Sequence, residues 1–177
     1  RATSSKQSIE AGIGMVHQHF MLVDNFTVLE NVVLGSEGGA LITESLSNAR
    51  IELRRLANEY GLEVELDIAV EELSVGMQQR VEILKGLYKG AKVLILDEPT
   101  GVLTPQESDE LFRIFEALKK QGVTIILITH KLREIMSITD HVSVMRAGKM
   151  VAHRETSQTN PEELAELMIG RKVLLNI

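Results

Sequence analysis

A short apolar run that ends in an acid constrains the fold of this chain more than any other feature. Residues 92–97 read Lys-Val-Leu-Ile-Leu-Asp, and residues 123–128 form a second continuous apolar run. Runs of this kind are typical of parallel strands that are covered on both faces. A helical pattern lies between them, so the order strand, helix, strand predicts a right-handed connection in a parallel α/β sheet.

Capping residues and turn residues divide the rest of the chain. Residues 12–18 predict a first strand. Residues 27–90 then carry only helical patterns, with long helices over about 43–60 and from Ser74 to about residue 89. Further helices are predicted to begin at side chains that cap free backbone amides, namely Thr27, Thr104 and Asn160. Ala147-Gly148-Lys149 predicts a tight turn between two strands.

Composition narrows the classes of function. The chain has 177 residues, a net charge of -6 and only 3% aromatic residues. Proteins that bind nucleic acids present a basic face or aromatic stacking platforms, so we expect no nucleic acid partner. The absence of cysteine excludes disulfides and thiolate metal sites. No apolar run approaches the roughly 18 residues that span a bilayer, so membrane association is expected to come through a partner.

Two adjacent acids, Asp97 and Glu98, follow the first apolar run and precede Pro99 and Thr100. Ligands of open α/β sheets bind outside the carboxyl ends of the strands. An acid there can hold Mg²⁺ through oxygen, and a second acid can orient or deprotonate water for attack on a phosphate. The alternative is a strand that runs into a solvated acidic turn.

Three weaker signals accompany the acids. Ser74 and Gly76 lie at the start of a predicted helix, where free amides and the helix dipole favour an anion. His130 follows the second apolar run and can donate to a phosphate oxygen. Gln18 ends the first strand and can contact a metal-bound water or act as a hinge. The structural alternatives are an ordinary serine cap, a structural histidine and a loop glutamine.

The order and spacing of these motifs resemble those of ATP-binding-cassette (ABC) ATPases. Gln18 matches the Q-loop, residues 73–78 the signature, residues 97–100 the Walker B motif and His130 the H-loop. The sequence of residues 14–31 is similar to that of the ATPases of prokaryotic importers of simple sugars and purine nucleosides. These residues read Gly-Met-Val-His-Gln-His-Phe-Met-Leu-Val-Asp-Asn-Phe-Thr-Val-Leu-Glu-Asn. The last residues resemble the end of a first cassette.

The resemblance implies an α/β fold, an incomplete P-loop NTPase (RecA-like) parallel-sheet core with an inserted α-helical subdomain. Residues 1–26 and 91–177 would form the core, and residues 27–90 the helical signature subdomain. Asp97 would hold Mg²⁺, mostly through water, and Gln18 would lie beside the metal and sense the γ-phosphate of ATP.

The resemblance implies catalytic roles for two further residues and a contact with a second cassette. Glu98 would polarise the attacking water, and His130 would contact the γ-phosphate. Ser74 and Gly76 would close over a nucleotide bound to a second cassette, in the same chain or in a dimer.

The remaining implied partners concern the membrane. Residues 20–22, Phe-Met-Leu, would dock the coupling helix of transmembrane permease subunits, with core packing as the alternative for this apolar trio. A substrate-binding protein would take part indirectly. The protein would therefore lie on the cytoplasmic face of the cell membrane, held there by the permease.

Several features depart from the family pattern. Val75 and Met77 replace a glycine and a glutamine of the signature, and Thr104 stands where the D-loop usually ends in aspartate. No Gly-x-x-x-x-Gly-Lys-Ser/Thr phosphate-binding loop occurs, since Gly148-Lys149 is followed by Met150. With no initiator methionine either, we expect a fragment whose phosphate loop precedes Arg1 and which is inactive by itself.

Two other functions are weighed against ATP hydrolysis. A degenerate cassette could act only as a signature face for a partner, as a regulatory binding module. The altered signature favours this alternative, whereas Glu98 and His130 disfavour it. A soluble ABC ATPase of DNA repair or translation is disfavoured, because the chain has neither a heptad pattern for coiled coils nor basic segments.

Overall fold

The computed structural model describes residues 4–34 and 42–170. By packing, the chain divides into two compact units, Arg1–Ile128 and Thr129–Ile177. The predicted division into a core and a helical subdomain over residues 27–90 stays a prediction. No helix of the described ranges is long and apolar enough to cross a membrane.

A parallel sheet of three strands lies at the centre of the first unit. Strands β1 (Ile13–Val16), β2 (Val93–Asp97) and β3 (Thr124–Ile128) are neighbours in that order. The register between them places their carboxyl ends at one edge of the sheet. The predicted parallel α/β fold is therefore confirmed.

Helices accompany this sheet, and three of them begin at the predicted caps. Thr27 and Thr104 each form a complete capping box with the glutamate three residues later, and the Ser74 hydroxyl accepts from the amide of Met77. A short first helix was not predicted, because its sequence is polar apart from Ile9 and shows no apolar periodicity. The helices of this unit are α1 (Ser5–Glu10), α2 (Val28–Val33), α3 (Ile42–Tyr60), α4 (Val75–Tyr88) and α5 (Pro105–Lys120).

The core of the first unit lies on one face of the sheet. Leu94 and Leu96 are fully buried there, and Gly86 of α4 packs directly against the Leu94 side chain. Side chains on the opposite face of the sheet are open to solvent. Among them, Met15 and Ile126 are 43% and 46% exposed.

The prediction that these strands are covered on both faces is therefore wrong for the described part of the chain. An apolar run shows that both faces can be buried, but burial also needs an element to pack on each face.

The second unit is a β-hairpin packed against two helices. It contains α6 (Leu132–Ile138), β4 (His141–Arg146), β5 (Lys149–Glu155) and α7 (Pro161–Ile169). Its buried core is formed by Ile135, Val144 and Leu164. As predicted, Asn160 caps α7, whose last turn ends at Gly170 in the left-handed conformation.

Candidate functional site

Polar side chains collect at the carboxyl edge of the three-stranded sheet. Asp97 is the last residue of β2 and pairs with Ile128, the last residue of β3. Gln18 follows the end of β1 by two residues and is exposed. Asp97 and Glu98 are half-buried. The sheet therefore brings Gln18 and the acid pair to one edge, where open α/β sheets bind their ligands.

Glu98 adopts a backbone conformation that side chains rarely take. Its φ angle is 47°, in the left-handed region, although it is not a glycine. Its amide donates to the carbonyl of Ile128 at 2.8 Å, and its carbonyl accepts from the amide of Gly101 at 3.1 Å. Strain of this kind persists only where the surroundings fix it, and it concentrates at functional sites.

A buried glutamine of α4 reaches the same turn. The Gln79 side chain is 3% exposed, and its Nε2 donates to the carbonyl of Pro99 at 2.7 Å. Pro99 follows Glu98 directly and is itself buried. The turn that carries Glu98 is thus attached to β3 on one side and to α4 on the other.

The tip of α4 is open to solvent. The Ser74 residue is exposed, and its hydroxyl caps the helix by accepting from the amide of Met77 at 3.3 Å. Val75 is 40% exposed at the first helical position. The hydroxyl and the first amides of α4 can therefore be reached by an anion from outside.

Gly76 approaches the start of α5 closely. A Cβ atom at this position would lie 2.9 Å from Oε1 of Glu107. That carboxylate also accepts from the amide of Thr104 at 2.9 Å, as part of the capping box of α5. Hydrogen bonds from the Thr104 backbone and hydroxyl lower the pKa of Glu107. Packing against α5 is thus a reason for glycine here besides any phosphate contact.

Two side chains of α4 hold the segment that follows Gln18. The Nζ atom of Lys85 donates to the carbonyl of Met21 at 3.0 Å. Glu82 is buried, and burial raises its pKa, while Lys85 and a hydrogen bond from the Met21 backbone act against the rise. Met21 itself is 66% exposed. The apolar trio is therefore anchored through its backbone while the Met21 side chain faces solvent.

His130 belongs to the second unit, two residues after the end of β3. Its side chain is exposed. The adjacent Thr129 hydroxyl accepts from the amide of Lys131 at 3.0 Å and shapes the start of α6. That His130 acts at the same site as Asp97 and Glu98 stays a prediction.

Sequence reasoning did not identify Gln79. The signal that could have revealed it is its spacing, since Gln79 precedes Ile83 and Leu87 by four and eight residues on the buried stripe of α4. A polar residue in such a stripe must find a partner inside the protein. Only the tertiary structure shows that this partner is the Pro99 carbonyl.

These features define a class of protein: an open parallel α/β sheet with acids at its carboxyl edge, together with a capped, exposed tip of α4. The sequence profile of the family described as "ABC transporter" matches residues 1–101. That match covers more than half of the chain, which therefore belongs to the ABC transporter family. The family predicted from the four motifs is confirmed.

Three characterised import proteins are similar to nearly the whole of this chain. The chain is 52% identical to the nucleoside import ATP-binding protein NupA of Lactococcus lactis, over 96% of this chain and 34% of NupA. It is 51% identical to the guanosine import ATP-binding protein NupO of Bacillus subtilis, over 96% of this chain and 33% of NupO. The ribose import ATP-binding protein RbsA of Streptococcus agalactiae is 40% identical over 97% of this chain and 35% of RbsA. The chain thus spans about a third of each of these relatives.

Solved structures agree on the fold. The chain is similar to cbiO1 of Clostridium perfringens, part of the ABC transporter complex cbiONQ, with a TM-score of 0.75 and 28% identity over 93% of this chain and 66% of that one. A nucleotide-free ATP-binding cassette from an ABC transporter matches with a TM-score of 0.72 and 22% identity, over 91% of this chain and 70% of that one. The fold is that of an ABC cassette.

Proposed function

We propose that this chain is the catalytic part of an ATP-hydrolysing subunit of a prokaryotic ABC importer for a nucleoside or a simple sugar. The observation that carries the proposal is the strained turn at Glu98, which presents a carboxylate directly after Asp97 at the carboxyl edge of the sheet. The import relatives, at 40 to 52% identity, support the transported class.

Glu98 would act on the water that attacks the γ-phosphate of ATP. A carboxylate can orient that water and accept its proton, and such a group contributes about 10²- to 10⁴-fold to the rate of a reaction. His130 would contact the γ-phosphate from the start of the second unit.

Asp97 and Gln18 would hold Mg²⁺. Both offer oxygen donors at the same edge of the sheet, which suits a hard cation that prefers oxygen ligands. When bound, the ion would neutralise negative charge on the phosphates. Gln18 would also report the state of the phosphate to the segment that follows it.

Ser74 and Gly76 would serve a different nucleotide, the one bound by a second cassette. Their support is the exposure of Ser74, whose hydroxyl lies at the start of α4, with Gly76 two residues further along the helix. The pair would be completed either by a second cassette of the same chain or by a dimer.

The permease would dock on the segment around Met21. This side chain is 66% exposed although its backbone is held by Lys85, so the segment offers a fixed apolar contact. Docking would place the protein at the cytoplasmic face of the membrane, with a substrate-binding protein acting on the other side of the permease.

The experiment that tests the proposal replaces Glu98 by glutamine in the full-length protein. Glu98→Gln keeps the shape of the side chain but cannot accept a proton, so we expect kcat for ATP hydrolysis to fall about 10²- to 10⁴-fold with ATP binding retained. Glu116→Gln, an exposed change on α5, serves as the control and should leave kcat unchanged.

The same assay separates the proposal from a regulatory module that contributes only its signature face. In that alternative, Ser74→Ala would lower the activity of the assembled transporter, whereas Glu98→Gln would have no effect. Wild-type turnover by Glu98→Gln would therefore contradict the catalytic role of this chain.

A further inference from the structure

Three of the hydrogen bonds that hold the backbone turn after β2 join it to β3, to α4 and to itself. Two are backbone bonds: the Glu98 amide donates to Ile128, and the Gly101 amide donates to the Glu98 carbonyl. The third comes from a side chain, because Nε2 of Gln79 donates to the Pro99 carbonyl at 2.7 Å, the shortest of the three. Gln79 is thus the side chain that fixes this turn from α4.

Gln79 occupies a buried position, where a side-chain amide without a hydrogen-bond partner would destabilise the fold. It is 3% exposed and continues the stripe of Ile83, which is fully buried, and Leu87, which is 8% exposed. A buried amide is tolerated where it is hydrogen-bonded, and removing its partner leaves a desolvated polar group. The Pro99 carbonyl is in the same situation, since Pro99 is buried. The Gln79 amide and the Pro99 carbonyl, 20 residues apart in sequence, therefore satisfy each other's need for a hydrogen bond.

The left-handed backbone at Glu98 gives this bond a consequence beyond stability. A non-glycine residue with φ of 47° relaxes to an ordinary conformation unless the chain on both sides is fixed. β3 fixes the turn on the amide side of Glu98, and Gln79 fixes it one residue later. Loss of the Gln79 bond would loosen the chain on the carboxyl side of Glu98, so the direction of the carboxylate would be less well defined.

We propose that Gln79 is a positioning residue, which aims the Glu98 carboxylate by anchoring the Pro99 carbonyl to α4. This inference rests on the proposed function, in which Glu98 acts on the attacking water. Misplacement of a reacting group by about 1 Å can lower a rate about 10²-fold. Loss of the Gln79–Pro99 hydrogen bond would therefore lower the rate of hydrolysis, although Gln79 does not contact ATP.

The anchor also joins two functional regions of one cassette. Ser74 and Gln79 lie on the same helix, five residues or about 7.5 Å of helix rise apart. Gln79 therefore connects the turn that carries Glu98 to the helix that carries Ser74 at its tip.

The test compares Gln79→Met with Ile83→Val in the full-length protein. Gln79→Met retains the length of the side chain but removes the donor, whereas Ile83→Val weakens packing one turn further along the same buried stripe. We expect both to lower the melting temperature. Only Gln79→Met should lower kcat per folded molecule, by about tenfold or more, with KM for ATP changed less than twofold.

A second variant covers the case in which Gln79→Met does not fold. Gln79→Leu replaces the amide by an apolar side chain of similar volume that cannot donate to the Pro99 carbonyl, so the same selective loss of kcat is expected. A kcat per folded molecule equal to that of Ile83→Val, in whichever Gln79 variant folds, would overturn the inference.

The outcome can be told apart from a failure of the proposed function. If Glu98→Gln abolishes turnover but the Gln79 variants retain wild-type kcat, Glu98 is catalytic and Gln79 is structural only. If Glu98→Gln itself retains turnover, the proposed function fails, and the role of Gln79 fails with it.

Discussion

Gly76 is a residue whose identity has two physical explanations. As part of the signature, it would leave space for a phosphate of the second cassette. The structure adds a reason within the chain itself, because a methyl group here would meet the Glu107 carboxylate at 2.9 Å. The other oxygen of that carboxylate accepts from the amide of Thr104, so displacement of Glu107 would disturb the cap of α5.

This packing predicts a context-dependent effect of Gly76→Ala. In the wild-type background the change should displace Glu107 and lower the free energy of unfolding by about 1 kcal/mol, the usual value of a lost cap. In a Glu107→Ala background the same change should be neutral or stabilising, because alanine favours helix more than glycine does. Melting temperatures of the four proteins in this double-mutant cycle provide the test. Equal effects of Gly76→Ala in both backgrounds would show that the Glu107 contact is unimportant.

At the scale of elements, helix starts were predicted well and strand surroundings poorly. The caps at Thr27, Thr104 and Asn160 depend on side chains within three residues of the helix, so the local sequence contains the whole interaction. Burial of a strand face depends on elements far away in the chain. For that reason the open face around Met15 and Ile126 could not be read from the apolar runs.

The turn of the hairpin in the second unit contains a residue type that fits its backbone conformation poorly. Strands β4 and β5 are joined by Ala147 and Gly148, with φ angles of 49° and 74°. Positive values at both positions are those of a type I′ turn, which favours Asn-Gly. Ala147 therefore occupies a position where its Cβ atom is unfavourable.

Replacement of Ala147 by asparagine should stabilise the hairpin. Asparagine tolerates the left-handed conformation, so Ala147→Asn is expected to raise the free energy of unfolding by roughly 0.5–1 kcal/mol. Ala147→Val should lower it, since a β-branched residue is an outlier at positive φ. Thermal unfolding followed by circular dichroism measures both. A lower melting temperature for Ala147→Asn would mean that the turn differs from the one described.

At the scale of the whole molecule, the sequence lacks the loop that binds phosphates in related proteins. Most charge-assisted contacts to a triphosphate come from the amides and lysine of such a loop, and the sequence contains no Gly-x-x-x-x-Gly-Lys-Ser/Thr string. In the proposed function, Asp97, Glu98 and Gln18 would act on the metal and the water, and they would add little affinity for the nucleotide itself.

We therefore predict that the 177-residue chain alone binds ATP with a Kd weaker than about 1 mM, or about 4 kcal/mol of binding free energy. Titration calorimetry with Mg²⁺ and ATP is the measurement, and the full-length protein is the control. Millimolar or tighter binding by the chain alone would contradict the prediction and would point to phosphate contacts outside the motifs considered.

The sequence by itself determined the family, the helix caps, the parallel strands and the identity of the acid pair, because each depends on residues that are close in the chain. Only the tertiary structure decided which face of the sheet is covered, what Gly76 packs against and which group Gln79 contacts. These depend on pairs such as Gln79 and Pro99, which are distant in sequence and meet only when α4 packs against the sheet. The strained angle at Glu98 belongs to the same group, since local propensity opposes it and only surrounding contacts hold it.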